Sequence, residues 1–412
     1  MTQAAAPSRP PMLTMAQALD ALLGAARPLA QVESIDTLDA NGRVLAAPVT
    51  STLRVPPADN TSMDGYAMRA ADVPAAGTRL RVSQRIPAGH VGTALEPGTA
   101  ARIFTGGLIP RGADAVVMQE QCTVEGEDVI VNHVPQPGEW VRRAGEDIEA
   151  GSVILPAGTR LTPQALGLAA SVGQAKLDVV RRVRVAVFFT GDELAMPGEP
   201  LKPGAIYNSN RFTLRGLLEN LGCEVSDFGI VPDTLAATRE TLRRAAQGHD
   251  LIITSGGVSV GEEDHIKPAV EAEGRLDMWQ IAIKPGKPLA FGQVNNDAEP
   301  AFFLGLPGNP VSSFVTFLLF VRPFILRLQG VAGVTPRRLP LRADFELNKG
   351  DRRNEFLRAR INAEGGLDLF PNQSSGVLTS TVWGDGLIDN PPNQAIARGD
   401  TVQFIPFDGL LA

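Results

Sequence analysis

From Arg182 to about Gly330 the sequence alternates between two textures, and few folds accommodate that alternation. VRVAVFF, CEVSDFGIV and DLIITSGG are short apolar runs bounded by turn residues. SNRFTLRGLLENLG and DTLAATRETLRRAAQG, lying between them, carry apolar residues at helical spacing. A strand that returns parallel to its neighbour needs a crossover, so the pattern predicts a mostly parallel sheet with helices on both faces. MWQIAIKPG, PLAFGQV and AFFLGLPG add strands, with a short helix near His265–Glu273 and a long apolar helix over Pro310–Leu328.

The remaining sequence is shaped differently. TMAQALDALLGAA has a capping threonine and helical periodicity, and strand-like pieces follow it. Between Ser51 and Ile148, RLRVSQRI, ARIFTG, DAVVMQEQCTVEG and DVIVNHV are separated by glycine and proline turns, as in a small β domain. The expected fold class is therefore multidomain, α/β and β. Residues 12–50 and 149–180 would form a mixed helical linker domain in two segments. Residues 51–148 form a β insert, 181–332 the central α/β domain, and 333–412 a C-terminal β-barrel-like domain.

Bulk properties exclude several classes. A formal net charge of −7 is unsuited to a phosphate backbone, so no nucleic-acid partner is expected. Cys122 and Cys223 stand far apart, and His90, His133, His249 and His265 lack zinc spacing. GxGxxG and GxxxxGK[ST] are missing. MTQAAAPSRPPM does not read as a secretion signal, and no apolar stretch is expected to span a membrane. The expected location is cytoplasmic.

The chemically distinctive residues follow the strands: TGDEL, PDT, TSGGVSVGEED, KPGKP and LPGNPVSS. In a parallel sheet such turns emerge at the carboxyl edge, where doubly wound folds bind ligands. Each alone could be a helix cap or a tight turn; their convergence on one edge argues for a site. Thr254, Ser255, Gly256, Gly257, Ser259 and Gly261 offer backbone N–H groups and hydroxyls suited to an oxyanion. Gly308, Asn309 and Ser312 belong to a second such loop. Glu193, Asp233 and Asp264, with Glu262 and Glu263 nearby, would repel phosphate unless a divalent cation intervened, and hard oxygen donors suit Mg2+. Lys284 and Lys287 supply cations for a second anion.

PADNTSMDGYAM (Pro57–Met68), RIFTGGLIPRGADAVVMQE (Arg102–Glu120), RRAGEDI (Arg142–Ile148), TGDEL, TSGGVSVGEEDHIK, IKPGKPLAFG and LPGNPVSS together resemble the MoeA-type molybdopterin molybdenumtransferases, a family whose animal relative is the gephyrin E-domain. The resemblance runs in order from about residue 12 to the end and is clearest from Pro57 to Ser313. The histidine after Asp264 is a departure of little consequence.

The resemblance implies Mg-dependent insertion of molybdenum from molybdate into adenylylated molybdopterin, with release of AMP. It assigns catalytic positions to Asp59, Thr105, Asp147, Glu193, Asp233, Asp264, Pro307 and Pro310. It also implies a homodimer whose site lies between the α/β domain of one chain and the C-terminal domain of the other, with Arg358 and Ser375 completing a molybdate site. The adenylyltransferase that supplies the substrate and downstream cofactor-handling proteins become candidate partners. The alternatives are a molybdopterin adenylylating enzyme, which the α/β segment alone would suit, and a gephyrin-like scaffold.

Overall fold

The structure, a computed structural model, describes residues 12–257 and 265–411. The central sheet runs in the order Glu224–Val231, Arg184–Thr190, Leu251–Ser255, Ala301–Leu306, Pro288–Val294, Gly274–Gln280. The first four strands are parallel and the last two antiparallel. Helices Ser209–Asn220 and Leu235–Ala246 make the crossovers. Leu251–Ser255 is buried throughout and Arg184–Thr190 nearly so, which is why both read as unbroken apolar runs. From Arg184–Thr190 the chain moves first to one side and then to the other. The carboxyl ends of Arg184–Thr190 and Leu251–Ser255 therefore flank the switch point at which such sheets open a crevice.

A helix over Pro310–Leu328 fills one face of the sheet. Its 19 residues, at a mean hydropathy of 1.7, would be long and apolar enough to cross a membrane, contrary to the sequence expectation, but 94% of that stretch is buried within the fold. It is a core helix. Its centre, Phe317–Val321, widens into a π turn, and the Arg322 N–H donates to the Phe317 carbonyl. Pro323 follows; it has no N–H to offer the Leu319 carbonyl and its ring crowds that turn, which accounts for the local widening.

Around this helix one apolar core joins three parts of the chain. Ala18 and Leu22 of the Met15–Ala25 helix, Val185 and Phe189 of the sheet, and Phe356, Leu387, Ile405 and Phe407 of the C-terminal region belong to the same cluster. The N-terminal helix, capped by reciprocal bonds between Thr14 and Gln17, thus packs on the α/β unit. The C-terminal sheet, in turn, runs Ile283–Lys284, Asn354–Ile361, Gly386–Asn390, Thr401–Pro406, Leu339–Arg342, so its edge strand comes from the KPG turn of the α/β unit.

The linker segments close on each other through the antiparallel Val32–Asp36 and Lys176–Val180 ladder and around Leu45, Leu161 and Val179. The insert is a six-stranded sheet with a small core on each face. Tyr66 and Met68 point to one core and Ala67 to the other, as period-two alternation requires. Linker and α/β unit are joined by the Arg181 fork on Asp250, with both bonds at 2.7 Å, and Asp250 also accepts from the Arg184 N–H at 2.8 Å. This pair is mostly buried, at 13% and 15% side-chain exposure. Asp250→Ala strands the guanidinium and is expected to cost about 3 kcal/mol, seen as a lower thermal midpoint in calorimetry; an unchanged midpoint would remove this pair from the joint.

Candidate active site

The strand ends enclose a cavity of about 720 Å3. One wall is the Gly256–Gly257 turn. Gly256 sits at φ +101° and Gly257 at φ +63°, left-handed backbone that favours glycine. The Gly256 N–H is already given to the Leu306 carbonyl at 3.1 Å, so Gly257 is the glycine of this turn whose N–H remains uncommitted among the described residues. The Ser255 hydroxyl donates to the Pro307 carbonyl at 3.0 Å. Thr254 is fully buried outside the lining, and its Oγ1 has no partner among the described residues. Ser255 thus lines the cavity with its hydroxyl hydrogen already committed, and Thr254 stands behind the lining. Ser259, Gly261 and Asp264 lie outside the described residues, as do Glu262 and Glu263.

The second wall is Pro307, Gly308, Asn309, Pro310 and Ser312, all of which line the cavity. Asn309 takes the cap position of the Pro310–Leu328 helix without bonding it through its side chain. Pro310 opens the helix at a position that needs no N–H donor. The N-terminal end of a 19-residue helix, with its positive dipole, thus faces the cavity.

Glu193 and Asp233 occupy the opposite edge. Glu193 is exposed and precedes a two-residue ladder between Leu194–Ala195 and Ile206–Tyr207. Its carboxylate lies back over Gly191, where a Cβ would come within 2.7 Å of Oε2. Among the described residues, no group of three metal-ligating side chains converges. The donor set still suits Mg2+, which takes one or two carboxylates and completes its shell with substrate phosphates and water.

Lys284 and Lys287 form the floor. Lys284 is not a free cation: its ammonium lies 3.0 Å from the buried Glu355 carboxylate and 3.4 Å from Asp351. Lys287 lines the cavity and has no ion-pair partner among the described residues. Between them, Gly286 turns at φ +106°, where an added Cβ would lie 2.4 Å from Thr316 Oγ1.

The C-terminal domain of the same chain completes the lining with Arg353, Gln373 and Ser375. Within one chain, then, the α/β and C-terminal domains already form the cavity, where the resemblance implied a pairing of two chains. Arg353 grips Asp351 through two bonds of 3.0 Å, which hold that carboxyl well below its ordinary range. Arg358 is buried and does not reach the cavity; it bonds Ser380 Oγ and the Phe356 and Ser374 carbonyls, and burial lowers its pKa to about 10. It supports the Gln373–Ser375 stretch from behind. The Val311 N–H donates to the Ser375 carbonyl at 3.0 Å, tying this stretch to the helix start.

Asp59, Thr105 and Asp147 do not line the cavity; they gather in the insert around residues 55–64. Asp59 accepts from the Ala144 N–H at 2.9 Å and Arg143 Nη1 at 2.6 Å, and these donors lower its pKa. Thr105 donates its N–H and hydroxyl to Asp64, each at 2.7 Å. The Asp147 N–H donates to the Val55 carbonyl, and its side chain is exposed. Sequence reasoning missed Asn208, Asn210, Arg353 and Gln373. The first two were signalled by YNSNRF, a pair of amides at a helix start.

Fold and cavity define an α/β protein with a ligand-sized cleft at the carboxyl edge of its parallel strands. Residues 186–327 match a model described as a probable molybdopterin binding domain. Residues 13–173 match the MoeA N-terminal region, domains I and II, and residues 339–407 the MoeA C-terminal region, domain IV. The molybdopterin molybdenumtransferase of Haemophilus influenzae is 41% identical over 97% of this chain and 100% of its own length. That of Nostoc sp. is 40% identical over 82% and 79%. The solved molybdopterin biosynthesis MoeA protein of Pyrococcus horikoshii OT3 superposes with a TM-score of 0.84 at 29% identity, covering 96% of this chain and 100% of that one. The chain belongs to the MoeA family of molybdopterin molybdenumtransferases.

Gly286→Ala places a methyl group against Thr316 at a backbone angle that only glycine tolerates well. It is expected to displace the lysine turn and lower turnover at least tenfold. Steady-state assay beside a crystal structure checks this, and Thr316→Ala in the same chain should recover part of the loss.

Proposed function

We propose that this chain inserts molybdenum from molybdate into adenylylated molybdopterin and releases AMP, with Mg2+ held at Glu193 and Asp233. The observation that carries this reading is the division of one cavity into an acidic edge, a helix N-terminus and a lysine floor. A ligand with a phosphate-rich nucleotide end and a separate oxyanion matches that division. The family membership and the name shared by the relatives from Haemophilus influenzae and Nostoc support the same reaction.

Each wall has a separate task. The helix start and the N–H groups of Gly257, Gly308 and Asn309, uncommitted among the described residues, receive phosphate oxygens without needing a positive side chain. Lys287 attracts molybdate and the Ser375 hydroxyl offers it a hydrogen bond, while the Gln373 amide, spent on the Arg358 and Phe370 carbonyls, shapes the wall without donating to it. Binding at both ends turns the meeting of dithiolene and oxometallate into a positioned exchange, so the protein needs no nucleophile of its own. When bound, Mg2+ would supply charge neutralisation at the departing phosphate. Asp59, Thr105 and Asp147 would act from the insert of a second subunit in a cytoplasmic homodimer. The adenylyltransferase that makes the substrate and the proteins that receive the cofactor are the partners this reading entails.

Purified protein given adenylylated molybdopterin, Mg2+ and molybdate is expected to release AMP only when molybdate is present. AMP release without molybdate, or adenylylation of free molybdopterin from ATP, would defeat the reading. Lys287→Met should raise half-saturating molybdate at least about tenfold, the equivalent of roughly 1.4 kcal/mol. Lys284→Met should chiefly lower thermal stability, because it abandons the buried Glu355 carboxylate. Equal molybdate dependence in the two variants would contradict the roles given to these lysines. For the metal, Glu193→Gln should weaken Mg2+ uptake measured by calorimetry in the presence of the adenylylated pterin, and unchanged uptake would remove Glu193 from the ion.

A further inference from the structure

We infer that Asn210 is a positioning residue that fixes the distance between the two glycine turns of the cavity; the inference rests on the molybdenum-insertion reading above. Leu251–Ser255 and Ala301–Leu306 are paired up to Ser255 and Leu306. Among the described residues, the Gly256 N–H bond to the Leu306 carbonyl is the last backbone tie between them. After Leu306 the second strand gives way to the turn that starts the Pro310–Leu328 helix, and among the described residues the Pro307 and Gly308 carbonyls have no strand partner.

Side chains take over at that point. Asn210 Nδ2 donates to the Gly308 carbonyl at 2.7 Å and to Ser255 Oγ at 2.8 Å. Ser255 Oγ passes its own hydrogen to the Pro307 carbonyl at 3.0 Å, and Ser313 Oγ lies 3.4 Å from it. An amide NH2 group has two hydrogens and a hydroxyl has one, so the donors are fully used and the direction of the chain of bonds is fixed. Ser255 is 3% exposed, and in such surroundings linked bonds hold their geometry more firmly than they would in water.

Asn210 itself lines the cavity, in the first turn of the Ser209–Asn220 helix. With both Nδ2 hydrogens committed, the amide plane is set. Oδ1 then remains an acceptor with no hydrogen-bond partner among the described residues, on a residue facing the ligand's space. Asn210 thus fixes the turns that embrace the phosphate end and presents to the ligand an atom that welcomes an N–H or O–H group and repels an oxyanion. A misplacement of about 1 Å between such turns is enough to cost on the order of a hundredfold in rate.

The test uses the full-length chain and the variants Asn210→Ala, Asn210→Asp, Ser255→Ala and the Asn210→Ala/Ser255→Ala double. Asn210→Asp keeps the shape and the acceptor but loses both donors. Each single variant is expected to lose about 30- to 100-fold in kcat with half-saturating molybdate within twofold of the parent, and the double is expected to lose no more than about threefold beyond the worse single. Amide exchange provides the readout that does not depend on activity. In Asn210→Ala and Asn210→Asp, the Gly256 and Val311 amides should exchange at least about tenfold faster, with the Leu251–Ile253 amides and the thermal midpoint unchanged. Additive losses, or losses that follow the midpoint, would overturn the inference. Unchanged exchange at Gly256 and Val311 would overturn it even if the parent releases no AMP, and faster exchange with an inactive parent would uphold it while defeating the functional reading.

Discussion

The site depends on the pairing of Ile283–Lys284 with Asn354–Glu355. This short parallel ladder makes the lysine turn of the α/β unit an edge strand of the C-terminal sheet, so one segment belongs to two domains. Glu355 lies beside it, almost wholly buried, and accepts from Lys284 and from the Asp351 N–H. A carboxylate placed there needs both donors. Lys284 is therefore occupied with the joint, and Lys287, three residues on, lines the cavity with no ion-pair partner among the described residues. Two lysines of identical type in one KPGKP turn do different work because their neighbours differ.

That distinction marks the boundary of what the sequence could disclose. The parallel sheet, its crossovers and the strand-end loops were legible, because periodicity and turn residues report local structure and the carboxyl edge follows from topology. The roles of Glu193, Asp233, Lys287 and the LPGNP turn as lining residues followed from position alone. What eluded sequence reading is what distant segments do to one another. Nothing near Ser255 in the chain says that its hydroxyl will be taken by Pro307, and nothing near Arg358 says that it will be sealed behind Ser375. The Pro310–Leu328 helix was legible as apolar, but its burial by three chain segments was not. Asn210 was hidden for a similar reason: an asparagine at a helix start reads as a cap, and here Asn208 holds that place while Asn210 reaches across to two strands.

The shared core explains why the cavity can be mixed in charge without losing its shape. Carboxylates on one edge and a lysine on the floor would collapse toward each other on a soft scaffold. Here the floor is locked by the C-terminal sheet, one wall by the 19-residue helix, and the other by strands whose faces are closed on both sides. Rigid elements of this kind hold the charged groups of the lining at fixed places.

The insert follows a different rule. It has its own two small cores and takes no part in the shared one, so its place is set through the linker. Yet its surface is ordered with unusual care for an exposed edge. Asp59 is held by a backbone N–H and an arginine, and Asp64 by both donors of Thr105. Fixing half-buried carboxylates gives up side-chain freedom with little burial in return. Both stay ionised because their donors favour the charged form. Ordered negative charge outside the chain's own cavity consists of groups already aimed, whose ordering cost is met before any ligand or partner approaches them.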